Sequence, residues 1–503
     1  MAGVRTLPEK RYFCFTPTNH PTPMKRILLF LAIVFASPLC AQIDMGIPSA
    51  AGKGGTSTAV VKDWEAVGIN PSNLGWNTNY KFSISLASFG LNAQSKAMDF
   101  STLKHAMLHP SDTFSTAEKQ KYAALFSNPD GFNLAANVNW LATSVYFPKL
   151  GGLAFTVRDR AFAHVGLNQN AADILFNGLN SSVYQDSSIY SKNISSIFDG
   201  CNITYLHYRE ANLAYGRRIM KFGTEDADGN PAIQVFGGVG FKFVWGMANM
   251  NGKIANGTIL GQSSFSTNYS INYGNIQNFT PEKTGSIFNN VGTGIGFDFG
   301  SSVILKNKFR FALSGTDLFG SIKWTNNVLI ASDTTMPHLD STNTGLKNWN
   351  VGNQAGFLFA ANGFMNYKPA ADYKSNLPAR MRIGFGMKMG KRIDVGADLV
   401  LPLNKTLYNL SKPYVAVGAD IKIIEIMKIN VGVSGNGDLG WNVPLGITLG
   451  PVGPLEFGLA TGDALTFVDK SKNPNLSVCL GFLRLNIDPS LGMGAKTPPT
   501  PGI

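Results

Sequence analysis

The sequence predicts an all-β chain: a fourteen-stranded antiparallel transmembrane β-barrel with an N-terminal plug in its lumen. Three observations predict it. Apolar and polar residues alternate at period two in one segment after another. The connections between those segments are alternately short and long. An export-type leader is followed by no apolar run long enough for a membrane helix.

The leader comes first in the chain. Met24-Lys25-Arg26 precedes the apolar run "ILLFLAIVFA" and then "SPLCAQ", the charged, hydrophobic and small-residue order of a secretory signal peptide over residues 24–41, cleaved between Ala41 and Gln42. Residues 1–23 lack that character and read as a start assigned too early. Lipid attachment at Cys40 is the alternative, but Leu39 stands where a lipobox carries Gly or Ala. The whole chain carries a formal charge of +12. Without residues 1–41 it loses five Lys/Arg and one acidic residue, and the remaining excess is spread along the chain. No clustered basic stripe of a nucleic-acid binder is present. Beyond the leader only Cys201 and Cys479 remain, too few for a disulfide framework. Both are expected unpaired, with a Cys201–Cys479 bridge as the alternative in an oxidising compartment.

Residues 42–79 precede the first strand. "PSAAGKGGTSTAVV" begins like a phosphate-binding loop, but Gly54 follows Gly52-Lys53, Ile47 stands where the first glycine belongs, and no strand precedes it. The segment is rich in Gly, Ser, Asn and Thr, and it is expected to thread into the lumen as a plug.

The barrel is expected over residues 80–487. The strand pattern is clearest in "VGTGIGFDFGS", where Val291, Ile295, Phe297 and Phe299 face one way and Gly292, Gly294, Gly296, Asp298 and Gly300 the other. It recurs in "MRIGFGMKM", "IDVGADLVL" and "YVAVGADIKI". Fourteen strands are predicted, at about 81–93, 132–147, 152–168, 202–220, 232–249, 291–305, 308–325, 379–389, 391–405, 412–424, 427–438, 441–450, 454–466 and 475–487. Many reach the 9–11 residues that a tilted strand needs to cross a bilayer. The even-numbered strands end in short connections, whereas 94–131, 169–201, 250–290 and 326–378 are long, the asymmetry of periplasmic turns and outer loops. A secreted sandwich or solenoid is the alternative, but its solvent face would be crowded with charge. Here that face carries Gly, Ser, Asn and isolated charges, which leaves room inside for a plug. Residues 488–503, rich in Pro and Gly, read as a disordered tail.

"GKGGTSTAVVKDWEAVGINPSNLG" resembles the amino-terminal plug of FadL-type outer-membrane proteins, the long-chain fatty-acid transporters. Asp63 and Asn70-Pro71 match the family pattern, and Ser72 replaces its usual Ala. "GGLAFTVRDRAFAHVGL", "YREANLAYGRRI" and "VFGGVGFKFVWGMANMNGK" look like an uncharacterised branch of such barrels in Bacteroidota. The resemblance implies an integral outer-membrane protein of fourteen strands that admits hydrophobic ligands and passes them through a kink in the third strand. It also covers PorV-like barrels, which serve type IX secretion as binding partners of exported proteins.

In the third strand, Asp159 interrupts an outward apolar face, and a bulge or bend is expected there, either for a lateral gap or as a register break. On the inward face Arg158, Arg160 and His164 are expected near Glu210 of the fourth strand. They would either hold an acidic head group through bidentate arginine contacts or pair among themselves and with the plug. Asp298, Asp394, Asp398 and Asp420 are expected in the same polar lining. His105 and His109 have the spacing of half a metal site but lack further ligands, so no metal and no cofactor is expected. "STAEKQKYAALF" reads as a capped loop helix. No GxSxG, HExxH or CxxC pattern occurs, and the chain is not expected to be an enzyme. The expected function is binding and passive uptake of a small hydrophobic or amphipathic molecule. The expected partners are outer-membrane lipid and that molecule. The alternatives are a non-transporting barrel whose long loops dock a secreted or surface protein, and a purely structural barrel.

Overall fold

A computed structural model describes residues 46–76, 81–95, 115–127, 131–227, 229–269, 276, 280, 288–333, 366–406, 408–436, 440–452, 455–468 and 475–487. The leader, residues 1–23, the tail and the His105/His109 pair lie outside them.

Fourteen strands close the wall: β1 (Phe82–Ser95), β2 (Phe132–Phe147), β3 (Gly151–Gly166), β4 (Asn202–Glu225), β5 (Pro231–Ala255), β6 (Gly292–Leu305), β7 (Phe309–Trp324), β8 (Arg380–Met389), β9 (Ile393–Pro402), β10 (Tyr414–Ile424), β11 (Met427–Asn436), β12 (Leu445–Val452), β13 (Leu455–Thr461) and β14 (Asn475–Ile487). Each pairs antiparallel with its neighbours, and β14 returns to pair with β1 from Phe82↔Ile487 to Gln94↔Asn475. The sheet therefore has no open edge, as a wall in lipid requires.

Alternation places side chains on the two faces of this wall. Phe241, Phe299, Phe311, Leu313, Val417 and Leu459 are exposed on the outside, whereas Lys242, Asp298 and Arg382 are buried inside. An apolar band of this kind is stable only against hydrocarbon, so the barrel is an integral membrane protein. Among the described residues no helix is long and apolar enough to cross a membrane.

Strand ends are set by local chemistry. β6 turns into β7 through Lys306 and Asn307, both in the left-handed region. β4 and β5 run longer than the sequence pattern predicts, to 24 and 25 residues. At its far end β5 turns through Asn256-Gly257, with φ of 52° and 68°, into a further strand, Thr258–Phe265. This is a two-residue hairpin of the kind that Asn-Gly favours. The predicted loop helix is Thr116–Phe126, with Ser115 and Glu118 forming a reciprocal capping box. Cys201 and Cys479 are both buried and free.

The lumen is filled from the turn end upward. Residues 46–76 lie inside it, with short helical turns at Pro48–Ala51, Asp63–Ala66 and Pro71–Gly75. Ile47, Val61, Trp64, Val67, Ile69 and Leu74 form a small core against Ala142, Ala154 and Ala214 of the wall. Burying such side chains is worth about 1.5–3 kcal/mol each.

Candidate functional site: the lumen and its plug

The wall accommodates the plug because inward positions of many strands are glycine. A Cβ on Gly216 or Gly238 would run into the Pro71 carbonyl, one on Gly300 into the Asn70 amide, and one on Gly418 would come 2.6 Å from the Lys53 Cβ. Backbone thus lies directly on backbone.

Polar groups then fix the plug's register. Asp398 of β9 accepts from the Ser57 and Thr58 amides (3.1 and 2.9 Å) and from the Thr58 hydroxyl (2.6 Å). Lys53 pairs with Asp420 of β10 at 2.7 Å. Ser72 and Trp76 both donate to Ser302 of β6 at 2.9 Å. Asn70 and Pro71 open the last helical turn: the Asn70 side chain accepts from the Ser72 amide (3.2 Å), and its Nδ2 donates to the carbonyls of Thr58 and Ser301. Asn70 therefore ties two parts of the plug to each other and to the wall.

Asp63 belongs to a clasp at the periplasmic face. Arg484 of β14 donates to Asp63 (2.7 Å) and Glu65 (2.9 Å) of the plug and to Glu456 of β13 (3.3 Å), and its guanidinium lies 5.4 Å from the Trp64 ring centre. One cation serves three carboxylates. Burial pushes the Glu65 carboxyl up to about 7, against the opposing pull of Arg484.

Above the plug lies a charged belt. Arg158 pairs with Glu210 directly across the β3–β4 ladder. Lys242 of β5 bridges Asp298 (3.0 Å) and Asp317 (2.6 Å), and Arg160 lies 3.7 Å from Asp317. Asn212 donates to Asp298 at 3.1 Å. The belt contacts the plug as well, since a Cβ on Gly68 would strike the Arg158 guanidinium. Arg158, Arg160 and Glu210 are thus engaged inside the protein. His164 is not brought to them: it pairs across the ladder with Thr204, six residues along from the Arg158↔Glu210 pair, about 20 Å away at strand rise.

The belt depends on a feature that alternation does not reveal. β7 carries a double irregularity in which Phe297 faces Leu318 and Phe299 faces Gly315, with Asp317 and Phe319 at φ of 56° and 55°. The extra residues turn Asp317 inward to Lys242 and leave Phe319 exposed on the outside.

Asp159 sits differently from the sequence expectation. β3 pairs with β4 without interruption from Gly152↔Gly216 to Gly166↔Asn202, and the register break lies in β2, at Trp140 between Asn139 and Leu141. Arg209 grips Asp159 through two nitrogens (2.6 and 2.8 Å), and His207 lies 3.7 Å from it. The Arg209 guanidinium is covered by the Phe288 ring at 4.6 Å. A neutralised and covered carboxylate needs no bend of its own strand.

An apolar cluster adjoins the belt and extends toward the loops, with Tyr208 and Val244 directly across the ladder from Arg160 and Glu210. Phe162, Leu206, Tyr208, Val244, Ile322 and Trp324 of the wall are buried together with Leu377 and Tyr408, which come from the loop side. Tyr408 donates to Asn249 (2.8 Å), and the Phe162 and Tyr408 ring centres are 6.1 Å apart. Sequence reasoning missed this layer. Its signal was the run of inward apolar positions Phe162, Leu206 and Tyr208 on faces that are elsewhere polar. Among the described residues no group of three potential metal-ligating side chains occurs.

Residues 74–462 match the family model described as "Family of unknown function (DUF5723)". The chain belongs to that family. The DUF5723 match starts near the end of the plug, at Leu74, and extends into the β13–β14 connection. No curated protein matches the sequence. Among solved structures, this DUF5723 barrel is similar to the monoaromatic hydrocarbon channel TodX in a deltaS2S3 mutant (10% identity, 88% of this chain and 99% of that one, TM-score 0.45). It is also similar to the toluene transporter TodX of P. putida (11%, 89% and 100%, 0.43). A third similar structure is a FadL homologue of Pseudomonas aeruginosa (8%, 90% and 100%, 0.39).

Proposed function

We propose that the protein is an outer-membrane barrel for passive uptake of a small hydrophobic or amphipathic molecule. The observation that supports this most directly is the apolar layer around Phe162, Leu206, Tyr208, Trp324, Leu377 and Tyr408. Interiors of transmembrane barrels are polar as a rule, and this layer gives a hydrophobic molecule a place to leave water beneath the outer loops. Two of the solved barrels named above are described as a monoaromatic hydrocarbon channel and a toluene transporter, but the reading rests on this chain's own lumen.

In this mechanism Leu377 and Tyr408, carried by loop segments, lift to admit the ligand into the layer. The belt below sets the floor, since its arginine, lysine and carboxylate groups satisfy one another and offer an apolar molecule nothing. Release follows displacement of the plug about Asn70-Pro71, which requires the Asn70, Ser72 and Trp76 hydrogen bonds to Ser301 and Ser302 of the wall to open. No step makes or breaks a covalent bond.

Native mass spectrometry of protein extracted gently from its own membrane, with small-molecule extraction of the same sample, tests the reading. A stoichiometric hydrophobic molecule that is lost in Tyr408→Ala supports it. A stoichiometric protein partner with an empty lumen overturns it and moves the assignment to a docking barrel.

A further inference from the structure

A large cavity lies away from the apolar layer. It is a vestibule of about 540 Å³ at the periplasmic mouth, between the plug and the ends of β8 to β11. Eight lysine and arginine side chains line it against five carboxylates. The carboxylates are already engaged: Arg484 takes Asp63, Glu65 and Glu456, Lys53 takes Asp420, and Arg310 takes Asp394. Among the described residues, Lys62, Lys388, Lys391, Arg392 and Lys428 form no ion pair.

Their placement is costly without an anion. Lys422 and Lys428 stand directly opposite each other across the β10–β11 ladder on the inward face, and like charges so placed are destabilising. Lys422 reaches outward to Glu425, which leaves Lys428 alone. Lys62 of the plug points into the same space. Burial, Lys388 and Arg310 push its ammonium down to about 8, against weaker opposing effects from Asp394 and Asp63.

We propose that this vestibule binds a phosphate-bearing ligand, held by Lys62 of the plug together with Lys388, Lys391, Arg392 and Lys428 of the wall. A phosphate carries up to two charges and three acceptor oxygens, which suits several convergent point-charge lysines. One carboxylate would leave most of the five cations uncompensated. The cavity exceeds a bare ion and falls in the size range of sites for small organic ligands. Its rim is the Gly390–Arg392 turn, where the wall leaves the bilayer, so a phospholipid head group and a soluble phosphate ester both reach it. Because Lys62 belongs to the plug and the other four cations to the wall, occupancy ties the two together and strengthens the seat of the plug. This inference is independent of any cargo in the apolar layer.

The test uses the full mature chain and pyrophosphate as the probe, titrated calorimetrically in zwitterionic detergent and again in nanodiscs of phosphatidylcholine with or without phosphatidylglycerol. Saturable binding that weakens about tenfold or more in the Lys62→Gln/Lys428→Gln double variant, but not in Lys221→Gln on another turn, supports the site. Heat-modifiable gel migration confirms that each variant barrel is folded. If phosphatidylglycerol displaces pyrophosphate, the natural source of the phosphate is a lipid head group. If it does not, the source is a soluble ester. Absence of saturable binding, or equal affinity in the double variant, overturns the proposal.

Discussion

The charged belt and the periplasmic vestibule hold similar residues to different ends. In the belt, Lys242, Asp298 and Glu210 are fully buried, and cations and carboxylates are matched across β3 to β7. In the vestibule, three carboxylates share Arg484 while five cations have no ion pair among the described residues. A buried charge must be compensated within the protein, because unpaired it costs several kcal/mol. A charge beside an open cavity can wait for a ligand. The belt therefore reads as structure and the vestibule as the place where something binds.

The strongest way to break this comparison is Lys242→Ala, which leaves Asp298 and Asp317 facing each other without their shared cation. A loss of about 3–5 kcal/mol is expected, measured by urea unfolding in detergent. A neutral result would show that the belt is not structural.

A smaller effect is expected from Gly216→Val, whose Cβ would strike the Pro71 carbonyl. Overpacking of this kind costs about 1–3 kcal/mol. The expected outcome is a folded barrel whose plug is cleaved faster by protease, since the clash falls between wall and plug rather than within the wall.

The vestibule clasp gives a pH dependence. Glu65 is raised by burial from 4.5 to about 7 in the folded protein, so its contribution to the seat is complete below pH 4.5 and is lost as pH rises through 7. Loss of the proton adds a negative charge beside Asp63 and Glu456, whose nearness also raises the Glu65 carboxyl. Protease access to the plug should therefore rise between pH 5 and 8, and Glu65→Gln should flatten that rise. A profile unchanged by the substitution would remove Glu65 from the clasp.

The smallest effect sharpens the baseline. Lys221 and Glu225 pair at 3.1 Å but are more than half exposed, and exposed pairs contribute little. Lys221→Ala should change stability by less than about 0.5 kcal/mol, against the much larger loss at Lys242.

Much of this was legible in the sequence, for identifiable reasons. All fourteen strands were, because alternation is imposed by two unlike solvents on the two sides of one wall. The plug was, because a glycine-lined inner face makes sense only if backbone lies against it. The far end of β5 departs from the expected long connection 250–290, because Asn256-Gly257 closes a hairpin there that the alternation pattern does not show. Facing strands fixed Arg158 against Glu210, but His164 lies too far along the strand.

What the sequence alone determined is the architecture: strand number, the sides on which residues face, and the segment that fills the lumen, all of which follow from local periodicity and composition. What only the tertiary structure decided is which charges meet. Asp317 reaches Lys242 because two extra residues in β7 turn it inward, and Arg484 reaches Asp63 because the last strand closes beside a plug 421 residues earlier in the chain. Such contacts depend on register and closure, and no local pattern encodes them.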